Sequence, residues 1–219
     1  MNTEIDVLVV GQGIAGSCLA YLLHQQGQRV HILAPKNIPC ASRIAPAMIQ
    51  RVSGKKLGIN PHVNHYFDAA LDFYNDFEQK HNCQLLEKRR CYRHLPSETL
   101  LQWEQKRHKN SHRHHMSATL STHPNKPSPY IEIYATYKLN TQTFFNHITH
   151  YFKTHNLLSN DTFDEQTVTY NPTNIRYKTY TAKTIVYCIG AATNSIKGLD
   201  HLSFANVKGT IMTGTSQQP

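Results

Sequence analysis

Apolar residues near the start of the chain form two patterns, a continuous run and a helical spacing, and glycines separate them. Residues 7–10, Val-Leu-Val-Val, carry no polar alternation, which is typical of a parallel strand buried on both faces. From Ile14 onward, apolar residues recur at steps of three and four, which predicts a helix that ends at Gly27. The run at 29–33 predicts a second strand, so the chain opens with a β-α-β unit.

Three glycines lie between the first predicted strand and the helix, in the spacing GxGxxG. Gly11 permits a tight turn, Gly13 lets a pyrophosphate approach the backbone, and Gly16 lets the helix pack closely on the strand. The N-terminus of the helix offers N–H groups to the phosphate charge. The pattern therefore predicts a dinucleotide site, and a glycine-bearing turn without a ligand is the alternative.

The end of the second predicted strand departs from this pattern. In such units an acidic side chain at this point binds the adenosine ribose, whereas here the position is Ala34, which cannot accept a hydrogen bond from its side chain. Lys36 and Asn37 come directly after it and could contact ribose or phosphate instead.

The rest of the chain alternates between helical and strand patterns without an internal repeat. Helices are predicted at 62–82, from Ser97 as N-cap, and from Asn140 as N-cap to about His155. Strands are predicted at 84–95, 167–170, 174–178 and 182–190, and a strictly alternating, half-buried antiparallel strand at 130–139. These elements predict an α/β fold in which a smaller antiparallel sheet domain interrupts a Rossmann-like βαβ domain. The expected parts are 1–82 and 165–219 for the nucleotide-binding domain and 83–164 for the sheet domain.

Composition narrows the classes of partner and compartment. The 219 residues include 23 Lys and Arg against 14 Asp and Glu, a formal net charge of +9 that suits anionic cofactors, acidic substrates or nucleic acid. Five cysteines without a CxxC pair predict reduced thiols in a cytoplasmic protein. The N-terminus has no basic signal-like region and no apolar run reaches membrane-spanning length, so we expect a soluble protein with no membrane partner.

Two neighbouring stretches carry a family resemblance. GQGIAGSCLAYLLHQQGQRVHIL and the subsequent ASRIAPAMIQRVSGKKL resemble the opening of the FAD-dependent oxidoreductases of the D-amino-acid oxidase and glycine oxidase family. That family has a Ser-rich, then Ala-Ala-Gly loop, followed in one branch by Asn-Pro-Val-Thr-Gly-Arg-Arg. Here Ala47 stands in place of the family glycine, Gln50 and Arg51 in place of Asn-Pro, and Pro46 interrupts the match. Two later stretches, AKTIVYCIGAAT and VKGTIM, are also similar to family strands.

The resemblance implies a flavoenzyme that binds FAD and oxidises a small amine or amino acid by hydride transfer to the flavin. It assigns these residues to the cofactor: Gly11, Gly13, Ile14, Ala15, Gly16, Ser42, Ala45, Ala47 and Gly190. The basic residues Arg51, Lys55 and Lys56 either face anionic groups of the cofactor or lie on a solvated face.

In the family a further segment comes after the Lys-Gly strand and supplies ligands for the substrate carboxylate. This sequence stops at Pro219, so we expect a chain without that segment, and no catalytic residue is assigned. The alternative is a non-catalytic remnant whose basic surface binds nucleic acid, phosphate or metal.

Two other groups of residues are candidates for further sites. KRHKNSHRHHM, residues 106–116, gathers His108, His112, His114 and His115. Without cysteine or carboxylate at ligand spacing it predicts a solvated insertion rather than a metal site, and without aromatic residues it makes nucleic-acid binding unlikely. Tyrosines on the alternating strand are more typical of packing than of a substrate site; they are Tyr130, Tyr134 and Tyr137.

Overall fold

A computed structural model describes residues 2–36, 40–54, 56–107, 110–117, 120–123, 126–196, 199, 201–205 and 209–211. Its helices and strands are, in chain order, β1 (Thr3–Val10), α1 (Ile14–Gln25), β2 (Val30–Leu33), α2 (Ala41–Ile44), β3 (Met48–Ile49), α3 (Val63–His81), β4 (Leu86–His94), α4 (Ser97–Arg107), α5 (Asn110–Arg113), β5 (Ser121–His123), β6 (Lys126–Leu139), α6 (Thr141–Thr154), β7 (Leu158–Ser159), β8 (Val168–Tyr170), β9 (Ile175–Tyr177) and β10 (Tyr180–Tyr187). Short 3-10 helices lie at Glu165–Thr167 and Gly190–Ser195. The prediction of an α/β fold with a parallel sheet and a separate antiparallel sheet is confirmed.

The chain forms two compact units, residues 1–45 with 145–219, and residues 46–144. The segment 46–82 thus belongs with the antiparallel sheet, although the sequence pattern assigned it to the nucleotide-binding part. Long-range pairing explains the difference, because Met48 of β3 pairs with Lys138 of β6. The segment 145–164 belongs with the parallel sheet, since Leu158 of β7 pairs with Ile32 of β2.

The first unit contains a six-stranded sheet in the order β7-β2-β1-β10-β9-β8. β7, β2, β1 and β10 are parallel, whereas β9 and β8 continue the sheet as an antiparallel meander. All four residues of β2 are buried, as predicted for a strand covered on both faces. The apolar residues that join the meander to the parallel strands are Ile5, Leu8, Leu33, Tyr177 and Ala182.

The last parallel strand begins and ends earlier than the predicted range 182–190. β10 ends at Tyr187, not at Gly190, and Lys183 and Thr184 are exposed within it. Gly190 instead begins a 3-10 helix with a φ angle of 58°. The apolar residues Cys188 and Ile189 thus continue the pattern beyond the end of the strand.

The second unit contains a four-stranded antiparallel sheet with the path β3-β6-β4 and with β5 paired to β6. One cluster of buried side chains packs on it, made by Val52, Leu57, Leu95, Trp103, Met116, Ile131 and Ile133. α3 adds aromatic side chains to this unit, and the ring centroids of Phe77 and Phe144 are 5.3 Å apart. Phe67, Tyr74 and Phe77 of α3 are buried, so the aromatic face of this amphipathic helix is part of the core.

The strict alternation predicted for residues 130–139 breaks in the middle of β6. Ile131 and Ile133 are buried, but the next buried position is Thr136. Between the pairs Arg89–Thr136 and Cys91–Ile133, β6 carries one residue more than β4, and Ala135 has a φ angle of 51°. This β-bulge shifts the inward face of the strand by one residue.

Two predicted helix caps have different outcomes. Asn140 caps α6 as predicted, because its Oδ1 accepts a hydrogen bond from the N–H of Thr143 at 3.0 Å. Ser97 is already the first residue of α4, and the carbonyl of Pro96 accepts the N–H of Leu100. The prediction that Ser97 is the N-cap is therefore one residue late.

Candidate cofactor site

The turn between β1 and α1 is closed by backbone contacts that leave no room for a side chain at two of its glycines. A Cβ atom on Gly11 would lie 2.3 Å from the carbonyl oxygen of Cys188, and Gly11 has a φ angle of 104°. A Cβ atom on Gly16 would lie 2.0 Å from the carbonyl oxygen of Gly11. The predicted roles of Gly11 in a tight turn and of Gly16 in close helix packing are therefore present in the fold.

Gly13 differs from these two glycines because a Cβ atom at this position would clash with no backbone atom. A Cβ atom there would meet the Ser42 Oγ at 3.4 Å and the Cys40 Sγ at 3.7 Å, which are ordinary contacts. Gly13 is the N-cap of α1 and caps it with no side chain. The packing of the described residues thus does not require a glycine at this position.

Ser42 approaches the N-terminus of α1 from the loop after β2. Its Oγ accepts a hydrogen bond from the N–H of Ile14 at 3.1 Å. The first N–H groups of a helix have no intrahelical acceptor, and the helix dipole adds positive potential there. Phosphate groups in proteins bind at helix N-termini, where such N–H groups and the helix dipole meet.

Three further residues were predicted to lie near the cofactor. Ala45 comes directly after α2 in extended conformation, in the first unit. Ala47 belongs to the second unit, has a φ angle of 54°, and accepts the N–H of Leu139 at 2.9 Å. A positive φ is the conformation that glycine adopts without strain, which is consistent with the glycine that the resemblance implies at this position. Gly190 has open space within 4 Å of a Cβ position.

Ala34, at the position where such units bind the ribose, is buried and its side chain has no hydrogen-bond acceptor. Ala34 is 8% exposed, and its N–H donates to the carbonyl of Ser159 at 3.0 Å, so β2 and β7 stay paired up to this point. Lys36 is exposed, whereas Asn37 lies outside the described residues.

A buried polar group on β2 was not predicted from the sequence. His31 is 9% exposed, and its Nε2 lies 2.7 Å from the Ser159 Oγ and 2.8 Å from the Tyr180 hydroxyl. Its ring stacks on that of Tyr180, with centroids 4.4 Å apart. Burial lowers the pKa of His31 to about 4, against the opposing charge of Asp161. The one available signal was a histidine inside an otherwise apolar strand.

The tyrosines of β6 divide into packing and exposed residues. Tyr137 contacts the buried Phe67, with ring centroids 6.1 Å apart. Tyr130 meets Tyr92 edge to face at 5.3 Å, and Tyr134 is 40% exposed. Packing, the role predicted for all three, thus describes Tyr137 best.

The basic residues near the second sheet are engaged in local contacts. The guanidinium of Arg51 stacks 3.7 Å from the Phe67 ring centroid and pairs with Asp68 at 3.1 Å. Burial first, and then the positive charge of Arg51, lowers the pKa of His115. Among the described residues no group of three or more His, Cys, Asp or Glu could hold a metal ion. Lys55 and His108 lie outside the described residues.

Two general expectations concern thiols and membranes. The cysteines, all of which lie in the described part, form no disulfide. No helix in the described residues is long and apolar enough to span a membrane.

Comparison with known proteins places these features in a family. The family model "FAD dependent oxidoreductase" (DAO) matches residues 6–217. Squalene epoxidase 3 of Arabidopsis thaliana is 35% identical over 49 residues, which are 22% of this chain and 9% of that protein.

Solved structures share the fold at low identity. Glycine oxidase from Geobacillus kaustophilus aligns with a TM-score of 0.71 and 14% identity, covering 93% of this chain and 60% of that one. L-Amino acid deaminase from Proteus myxofaciens, in complex with anthranilate, aligns with a TM-score of 0.64 and 13% identity, covering 93% of this chain and 49% of that one. The chain thus spans about half the length of these solved relatives. Because the family model covers nearly the whole sequence, the chain belongs to the FAD-dependent oxidoreductases, and the predicted cofactor, FAD, is that of its family.

Proposed function

We propose that this protein oxidises a small amine or amino acid, with FAD as the electron acceptor in the site. The observation that carries the proposal is the N-terminus of α1, where a glycine N-cap lies beside the Ser42 hydroxyl that accepts the Ile14 N–H. Helix N-termini of this kind bind phosphate groups in proteins. Family membership supports FAD as the dinucleotide. When bound, FAD supplies the acceptor for the hydride that leaves the substrate carbon.

The residues of the first unit hold the cofactor in this proposal. The first N–H groups of α1, those of Ile14, Ala15 and Gly16, would bind the pyrophosphate oxygens. The Ser42 hydroxyl, which accepts the Ile14 N–H, would donate its own proton to a phosphate oxygen. Ala45 and Gly190 leave room for close approach because neither carries a large side chain.

The substrate class is proposed from the similar structures. Glycine oxidase and L-amino acid deaminase are both named for reactions on amino acids. Their likeness to this chain extends over 93% of its residues. An amine or amino acid is therefore the class to test, whereas no observation on the described residues supports the alternative of a non-catalytic basic surface. Ala47 stays a prediction for the flavin side of the site.

The test is reduction of bound flavin by substrate. The full 219-residue chain is incubated with FAD, freed of unbound cofactor, and mixed without oxygen with glycine, sarcosine and panels of D- and L-amino acids. We expect at least one of these amines to bleach the absorbance of oxidised flavin, and peroxide release in air to identify oxygen as the acceptor. Bound flavin that dithionite reduces but no amine in the panels reduces would contradict the proposed reaction.

A further inference from the structure

The ribose end of the proposed FAD site lacks its usual acceptor, and the neighbouring strand ends at the same edge of the sheet. Ala34 comes directly after β2, and in a β-α-β unit the acidic residue at this point accepts a hydrogen bond from the ribose 2′-hydroxyl. β7 is parallel to β2 and pairs Ser159 with Leu33. The carboxyl ends of the two strands therefore lie side by side, and the chain that continues beyond Ser159 emerges next to Ala34.

The first acidic residue after β7 is Asp161, two positions beyond Ser159. Its side chain is 46% exposed, and its carboxylate lies 3.6 Å from the Lys178 Nζ, which is longer than a hydrogen bond. The carboxylate also acts on His31 of β2, where it opposes the lowering of the pKa by burial. It is thus close to β2 and has oxygen atoms that Lys178 does not saturate.

We propose that Asp161, two residues beyond β7, accepts a hydrogen bond from the adenosine ribose. In related β-α-β units an acidic residue at the position of Ala34 accepts this bond. This inference rests on the proposed FAD site. Lys36, a described residue two positions beyond Ala34 in the sequence, has only donors, so it cannot replace a carboxylate acceptor. Supplying the carboxylate from the adjacent strand also explains how Ala34 can be buried and still belong to a ribose-binding edge.

The test compares two nucleotides that differ in one hydroxyl. The binding of ADP and 2′-deoxy-ADP to the full chain is measured by competition with FAD, followed by the fluorescence of the flavin. We expect ADP to bind about tenfold more tightly, because a hydrogen bond to a charged acceptor contributes this much or more. Asp161→Asn keeps an oxygen acceptor but removes its charge, so it should reduce the preference for ADP and weaken FAD binding several-fold.

Three variants separate ribose binding from a structural effect. Lys178→Met removes the same ion pair but keeps the carboxylate, so it should keep the preference for ADP. Ala34→Glu in the Asp161→Asn background should restore the preference, since it returns an acceptor to the usual position. Asp72→Asn makes the same charge change on the exposed face of α3 and should bind like the unaltered chain. Thermal melting by circular dichroism checks that each variant is folded.

The outcomes distinguish this inference from the proposed function. An unaltered chain that does not bind FAD contradicts both. A chain that binds FAD but does not prefer ADP, or an Asp161→Asn variant that keeps the preference, contradicts the role of Asp161 and leaves the FAD site intact.

Discussion

Replacing Gly13 with valine tests the cofactor site without removing the fold. The new Cβ would meet the nearest atoms, Ser42 Oγ and Cys40 Sγ, at 3.4 and 3.7 Å. The φ angle of Gly13 is −73°, which is allowed for any residue. The N-cap position disfavours valine by about 1 kcal/mol. Since a domain is stable by roughly 5–15 kcal/mol, the variant should remain folded.

The effect on FAD binding should be much larger than the effect on stability. A valine side chain occupies the space through which the pyrophosphate reaches the first turn of α1. Losing two hydrogen bonds to a charged phosphate costs about 3–6 kcal/mol, which corresponds to roughly two to four powers of ten in affinity. Titration of FAD fluorescence measures the affinity, and circular dichroism measures the melting temperature of the same samples.

Two other glycines give matched controls for this experiment. In Gly58→Val, the Cβ meets its nearest atom, the Ser53 carbonyl oxygen, at 3.6 Å, and FAD affinity should not change. In Gly16→Ala, the Cβ would lie 2.0 Å from the Gly11 carbonyl oxygen, so both stability and binding should be lost. A folded Gly13→Val chain with the FAD affinity of the unaltered protein would refute the assignment of this position to the pyrophosphate.

Three further predictions concern stability. Burial lowers the pKa of His31 to about 4, so below pH 6.5 the unfolded chain binds a proton that the folded chain does not. The free energy of unfolding should therefore fall by about 2 kcal/mol between pH 6.5 and 4, with solvent screening included. His31→Phe should flatten this part of the pH profile measured by urea denaturation. Ala47→Gly should raise the free energy of unfolding by up to about 1 kcal/mol, and with it the melting temperature, because φ is 54° at this position. Ala45→Gly, at a φ of −56°, should lower the melting temperature, and equal effects of the two variants would contradict this reasoning. Asn140→Ala should cost about 1 kcal/mol in chemical denaturation, through loss of the bond to the Thr143 N–H, and an unchanged midpoint would show that the cap is not stabilising.

The elements predicted well from sequence are those whose signals are local. The sequence predicts β1, α1 and β2 because an apolar run, three glycines and a helical spacing follow one another in the 27 residues from Val7 to Leu33. The helix predicted at 62–82 matches α3, at Val63–His81, since its apolar stripe is continuous and His81 is followed by Asn82 in the left-handed conformation.

The features that the sequence could not predict depend on contacts between distant segments. The bulge at Ala135 exists only relative to the register of β4, so an alternating pattern read along β6 alone cannot reveal it. The start of the second unit at residue 46 depends on pairing between β3 and β6, which are separated by most of the unit. Patterns of period two or 3.6 describe one element at a time and contain no information on its partners.

The same distinction divides the candidate site into a part that was predicted and a part that was not. Gly11, Gly13 and Gly16 lie within a stretch of six residues, and their spacing alone predicts a phosphate site. Ser42 was assigned through a resemblance, yet the hydrogen bond that defines its place joins it to Ile14, 28 residues away. Asp161 lies just beyond a two-residue strand that gives almost no periodic signal, and the pairing of β7 with β2 brings the end of that strand, Ser159, beside Ala34. A missing side chain in a local motif is therefore best sought on the neighbouring strand, because the edge of a parallel sheet collects residues that the sequence keeps far apart.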